Sequence, residues 1–336
     1  MGVLVKLASM KVFLHRFSYL LLLAFSTFIF TAACSRNINY NATSLWQPLK
    51  DCRLIQHVVG KTCVPNNPTR IITISQFTLG NALVLGVQPI ASASALSDLN
   101  GFPVYLKKAY TQEIKELGNQ YEPNLERIAL LKPDLILGWE SPIRKIYPLL
   151  SQISPTVLVP WQGTPSWKEH FKFLAEALGK EEEYQQAWNR YFQRIQKLKA
   201  TLNNQYKDKK ISVVSVVNGY GVISYVKSSF IGSILDDIGL QRPKTQDVIL
   251  PRGDRIYGIS EERLEEIDGD IIFILIIREH DKKNLEKLQQ KPLWKTLKAV
   301  QKGQVYTVDA LTWVGSNLIA ADAVINDLYK YLVNTP

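Results

Sequence analysis

The sequence predicts an α/β protein of two doubly wound lobes with mostly parallel sheets, joined by a long helix. Three observations carry this. At 336 residues the chain exceeds one ordinary core and suits two. Short apolar runs of strand length alternate with helical stretches, the pattern of parallel sheets covered on both faces. Midway along the chain, residues 181–206 place Tyr184, Trp188, Tyr191, Phe192, Ile195, Leu198 and Leu202 on one helical face. At ~1.5 Å per residue that segment is about 40 Å long, enough to bridge two lobes. A surface helix with a core stripe has the same spacing, and only the central position favours the bridge. A hydrophobic fraction of 46% with 21% charged residues argues against disorder and against a polytopic membrane protein.

Residues 1–33 read as an export signal: Lys6, Lys11 and Arg16 precede an apolar run over 19–30, then Thr31, Ala32, Ala33 and Cys34. Met10 begins an equally complete leader. The competing reading is an uncleaved membrane anchor, for which the run is shorter than the ~20 residues a span needs. Loss of the leader removes three bases and no acids, taking the formal charge from +10 to +7. The remaining basic residues are scattered among acids, so nucleic acid is not the expected partner.

Residues 34–66 form a tether and a hairpin. An exported protein meets oxidising surroundings, so Cys52 and Cys63 are expected to pair across the strand, turn and strand between them. A metal site with His57 is the rival idea, but three ligands in one hairpin are sparse for zinc.

The first lobe, 67–180, has predicted strands at 71–75, 89–94, 135–139 and 156–160, with helices at 77–85, 125–131 and 143–153. Residues 122–139, EPNLERIALLKPDLILGW, hold most of the information. Asn124 caps a helix, Lys132, Pro133 and Asp134 stop it, and an apolar strand follows. A helical stretch from Trp167 breaks at Gly179 and leads into the 181–206 helix. The second lobe, 207–336, has strands at 211–217, 222–226, 271–277 and 305–308, a helix at 230–238, and a loop at 242–259.

In open parallel sheets a ligand sits beyond the carboxyl ends of the strands, so residues following each strand are the candidates. These are Trp139, Arg144 and Trp161 in the first lobe, and Tyr220, Tyr225, Arg278 and Trp313 in the second. The 242–259 loop adds Arg252 and Arg255. Catalytic signatures are missing: there is no GxSxG and no GxxxxGK, and Gly219 and Gly221 lack the third glycine of a dinucleotide fingerprint. Neither a catalytic residue nor a resident metal is expected. Of the four histidines, His15 lies in the leader, His57 in the hairpin and His170 on an aromatic-rich helix.

The order PNLE, KPDLI and a polar aromatic loop resembles the iron-siderophore and vitamin B12 periplasmic binding proteins that feed ABC importers. The resemblance runs from about Asn67 to the C-terminus. It continues through PTRII at 68–72, YPLLSQISPT at 147–156, SFIGSIL at 229–235 and PLWKTLKAVQKGQVY at 292–306. The family implies two lobes on a rigid helical spine, a ligand cleft between them and limited closure.

By that resemblance the ligand is a ferric siderophore, with iron held by the siderophore and no cofactor of the protein's own. Aromatic walls and guanidinium donors suit such bulky, frequently anionic chelates. Gln120 stands where some hydroxamate binders place an arginine, and the histidines are too few for the zinc-binding relatives. The resemblance further implies that Glu126 and Glu262 meet arginines of an ABC permease working with its ATPase. It implies too that Cys34 carries a lipid anchoring a monomer to a membrane in the periplasm or at the cell surface; Thr31 departs from the usual lipobox. A cobalamin or haem carrier is the nearest alternative, and a secreted α/β hydrolase the alternative of another class.

Overall fold

The computed structural model describes residues 52–95, 101–160 and 167–334. Strands β1 (Cys52–His57) and β2 (Gly60–Pro65) pair antiparallel, with Leu54 opposite Cys63. Cys52 and Cys63 are joined by a disulfide across a Cα separation of 5.5 Å. His57 is buried, and burial holds its pKa below the ordinary value. Its Nε2 lies 2.8 Å from the Thr62 hydroxyl, which donates to the Thr156 carbonyl at 2.9 Å.

The first sheet follows the alternation β3 (Ile71–Thr73), α1 (Gln76–Val84), β4 (Ala91–Ser94), α2 (Val104–Lys107), β5 (Lys115–Asn119), α3 (Leu125–Leu130), β6 (Leu135–Trp139), α4 (Glu140–Ile143), α5 (Tyr147–Ile153) and β7 (Thr156–Val159). Its five strands are parallel in the order β5-β4-β3-β6-β7. Asn124 caps α3, its Oδ1 accepting from Arg127 N at 2.8 Å. The single helix expected at 143–153 is two, α4 and α5, separated by a turn.

Helices α6 (Trp167–Leu178) and α7 (Glu181–Leu202) lead to the second sheet. The α-helical part of the 181–206 segment stops at Leu202 because Asn203 turns to φ 48°, and Asn203–Tyr206 is a 3-10 turn. Then come β8 (Ile211–Val217), β9 (Gly221–Tyr225), α8 (Phe230–Ile238), β10 (Arg255–Ile259), a 3-10 segment Glu261–Ile267, β11 (Ile271–Ile276), α9 (Glu279–Gln289), α10 (Pro292–Thr296), α11 (Lys298–Gln301), β12 (Val305–Asp309), α12 (Ala310–Trp313) and α13 (Leu318–Leu328). The order is β10-β9-β8-β11-β12, with β9 antiparallel to both neighbours. The expected 242–259 loop therefore ends in a strand. Arg255 and Ile256 pair with Tyr225 and Ser224, supplying the outer edge of β9 with partners.

Two separately cored halves were the sequence expectation. Instead, one buried cluster runs from the first sheet through α7 to one face of the second sheet, and a smaller cluster fills only the other face of that sheet. The junction is aromatic. Trp167 of α6 packs on Trp188 and Tyr191 of α7 and on Phe230 of α8, with ring centroids 5.2–6.0 Å apart. Asp237 of α8 accepts from the Tyr191 hydroxyl at 2.6 Å and pairs with Lys168 at 2.7 Å, tying three helices to one carboxylate.

A second seam crosses at Asn317, which is fully buried. Its Oδ1 caps α13 by accepting from Ala320 N at 3.0 Å, while its Nδ2 donates to Gly315 O at 2.6 Å and to the Tyr105 hydroxyl at 3.3 Å. Gly80 of α1 makes room for it, since a Cβ there would stand 2.4 Å from Asn317 Nδ2. Glycine to alanine inside a helix ordinarily gains up to about 1 kcal/mol. Gly80→Ala is expected instead to destabilise by about 1–2 kcal/mol, because the methyl displaces a capping side chain with no free rotamer. Urea denaturation of both proteins checks the sign.

Candidate functional site

The first sheet ends in buried neutral polar groups and one exposed ion pair. After β3, Ser75 caps α1 by accepting from Thr78 N at 3.0 Å and sets the buried Gln76 beside β4, where the Ser94 hydroxyl donates to Gln76 Oε1 at 3.1 Å. Gln120, 1% exposed, follows β5; its backbone N–H donates to Ser94 O at 3.0 Å, and its Oε1 has no hydrogen-bond partner among the described residues. Trp139 ends β6 with 9% exposure, its ring edge-on to Phe77 at 5.6 Å. Arg144 is exposed, paired with Glu140 and reaching Val58 O at 3.5 Å in the β1–β2 turn. Trp161 lies outside the described residues.

The second sheet presents aromatics and cations. Tyr225 is 5% exposed, and burial raises its phenol pKa although Arg255 and a hydrogen bond to Ser215 oppose the shift. It serves as a platform, with the Arg255 guanidinium 5.0 Å above its ring. Asp254 grips that guanidinium at both ends, at 2.6 and 2.7 Å, and keeps it charged despite burial. Tyr225 is thus corrected from a direct ligand contact to a buried support.

Tyr220 and Tyr257 are 59% and 58% exposed, with ring centroids 6.2 Å apart. Tyr220 stands on the β8–β9 turn between Gly219 and Gly221, both at positive φ. Tyr257 stands at a bulge in β10, where the register slips between Ile256 and Ile259 and Gly258 takes φ 72°. The bulge lets Ile256 and Ile259 both face the core while Tyr257 projects on the Arg255 side. Gly258 N donates to Tyr220 O at 3.0 Å, joining the two loops. Tyr257 was missed because it fell in a stretch read as loop; its alternation with Arg255 and Ile256 was the available signal.

Arg252 is exposed, as is Arg278, which follows β11 at the start of α9. Trp313 is a core residue: it is fully buried, its ring lies tilted against Phe273 with centroids 4.7 Å apart, and its Nε1 donates to Asp327 at 2.8 Å. The reading of Trp313 as a cleft wall fails because this side chain leaves no surface for a ligand. Glu126 and Glu262 are both exposed, in the first turns of α3 and of the 3-10 segment.

Paired α/β lobes with amides, phenols and guanidinium groups near their strand ends are of the class that holds ligands beyond the sheets. The family model for periplasmic binding proteins matches residues 72–311, and the chain belongs to that family. It is a binding protein and not an enzyme. It is 31% identical over 293 residues to a probable siderophore-binding lipoprotein of Bacillus subtilis (strain 168), covering 84% of this chain and 88% of that one. It is 30% identical over 312 residues to an Fe(3+)-citrate-binding protein of the same organism, covering 90% and 94%. Among solved structures, it is similar to Staphylococcus aureus SirA complexed with staphyloferrin B, with a TM-score of 0.73 and 29% identity over 83% of this chain and 98% of that chain.

Trp313→Phe is expected to cost about 1–3 kcal/mol by leaving the Asp327 carboxyl without its donor, while ligand affinity stays unchanged. Thermal unfolding and titration calorimetry on the same variant separate the two effects.

Proposed function

We propose that this protein is the substrate-binding component of an ABC importer for a ferric siderophore, and that its preferred cargo is a carboxylate-type ferric chelate. The observation that carries the reading is the charge division between the strand ends. The second lobe carries Arg252, Arg255 and Arg278 together with the exposed Tyr220 and Tyr257, whereas the first carries the buried Gln76, Ser94 and Gln120, Trp139 and the exposed guanidinium of Arg144, neutralised by Glu140. A chelate with anionic and aliphatic portions suits that asymmetry better than a triscatecholate, whose negative charge is spread on all sides. Relatives described as binding ferric citrate and staphyloferrin B support the choice. No relative reported above favours a cobalamin or haem carrier. Tyr220, Tyr257, Arg252, Arg255, Arg278, Trp139 and, in the undescribed stretch, Trp161 are the proposed contacts.

Iron enters and leaves inside its chelator, so the protein needs no cofactor. Cys34, outside the described residues, is the proposed lipid attachment, holding a monomer at the membrane that contains the permease. Glu126 and Glu262 are the proposed permease contacts; each is an exposed carboxylate with no ion-pair partner among the described residues.

Native mass spectrometry with ferric citrate, a ferric hydroxamate and a ferric triscatecholate is expected to rank the carboxylate chelate first. A protein that retains none of the three contradicts the proposal. Glu126→Lys and Glu262→Lys are each expected to abolish uptake of radioactive iron in cells while leaving the purified protein's affinity intact. Normal uptake by either variant removes that residue from the docking surface.

A further inference from the structure

The Tyr220 and Tyr257 phenols have no structural employment. Both rings are more than half exposed, and neither hydroxyl has a hydrogen-bond partner among the described residues. They come from different strands yet lie side by side, held by the Gly258 N to Tyr220 O bond. An aromatic wall alone could be built from phenylalanine and would not need two polar tips.

We infer that Tyr220 and Tyr257 form a ferric-iron coordination site that completes the coordination sphere of a chelate leaving positions on the metal open. This rests on the ferric-chelate reading above and names the cargo's chemistry more narrowly. Phenolate oxygen is an established donor to iron, and a hydroxycarboxylate such as citrate commonly leaves water on the metal. At each contact the phenol gives its proton to solvent, its oxygen forms the bond to iron, and an iron-bound water departs. The iron stays ferric, and no electron is transferred.

The backbone can accommodate the metal. Gly219, Gly221 and Gly258 all sit at positive φ, and a cavity of about 450 Å³ adjoins the β8–β9 turn, lined in part by Gly219, Gly221, Ile259 and Ser260. Glycine at these turns is more than a hairpin requirement, because each phenol is bordered by a residue without a side chain.

The test is a titration of the purified protein with ferric citrate, followed by visible absorption and by tryptophan fluorescence. A phenolate-to-iron charge-transfer band is expected in the wild type, weakened in Tyr220→Phe and Tyr257→Phe and lost in the double variant. Proton release on binding, one per phenol engaged, is expected to fall in step. Gallium citrate should bind without the band, and so should a ferric chelate whose own donors saturate the metal. Binding of ferric citrate with the same spectrum in wild type and double variant overturns the inference. So does retention of saturated ferric chelates with none of ferric citrate, although the importer reading then stands. If no ferric chelate changes fluorescence or mass, both fall together.

Discussion

Burial of one face of α7 is the constraint on which the rest of the structure depends. Ala187, Trp188, Tyr191, Ile195, Leu198 and Leu202 form a stripe that belongs to the interiors of both lobes at once. Each large apolar side chain withdrawn from water contributes about 1.5–3 kcal/mol, so neither lobe could peel away from the helix without exposing part of its own interior. At the junction Asp237 gathers a phenol and an ammonium from two other helices, which fixes the rotation of α7 as well as its position. Burial beside Asp237 drives the Tyr191 phenol pKa upward, so this link does not loosen in the physiological range.

That rigidity shapes what the cleft can do. With the spine on one side and the Asn317 seam on another, adjustment to a ligand has to come chiefly from the loops beyond the strands. The tyrosines stand on such loops, bordered by Gly219, Gly221 and Gly258 at positive φ. Arg255 works in the opposite sense: clamped by Asp254 and stacked on Tyr225, it presents a guanidinium whose orientation is settled before the ligand arrives. The chain without its leader is still basic, at +7 formally, a charge that favours anionic ligands.

Much of the fold was legible because apolar periodicity changes sharply between strand and helix. The runs at 135–139 and 211–217 are strands, the run expected at 271–277 is a strand over 271–276, and Asn124 caps its helix as expected by accepting from Arg127 N. Segments with little apolar content were not legible. Lys115–Asn119 contains one buried apolar residue, Leu117, and gains strand geometry only from pairing with β4. Arg255–Ile259 was hidden by the glycines around it. The site was harder still, since the rule about strand ends finds positions and says nothing of which way a side chain turns. Trp313 follows β12 as the rule asks, but Phe273 and Asp327 draw it inward; Tyr257 was overlooked because its strand was.

Among the described residues, the hydrogen bonds that moor the β1–β2 hairpin to the rest of the chain run to the first lobe. Thr62 bonds to the Thr156 carbonyl of β7, and the Arg53 guanidinium reaches the Ala177 carbonyl near the end of α6 at 3.4 Å. Any mechanical pull arriving along the chain ahead of Cys52 is therefore absorbed within that hairpin, where the disulfide shortens the lever, and passes into the edge of the first sheet. The second lobe, with Tyr220 and Tyr257, lies off that path.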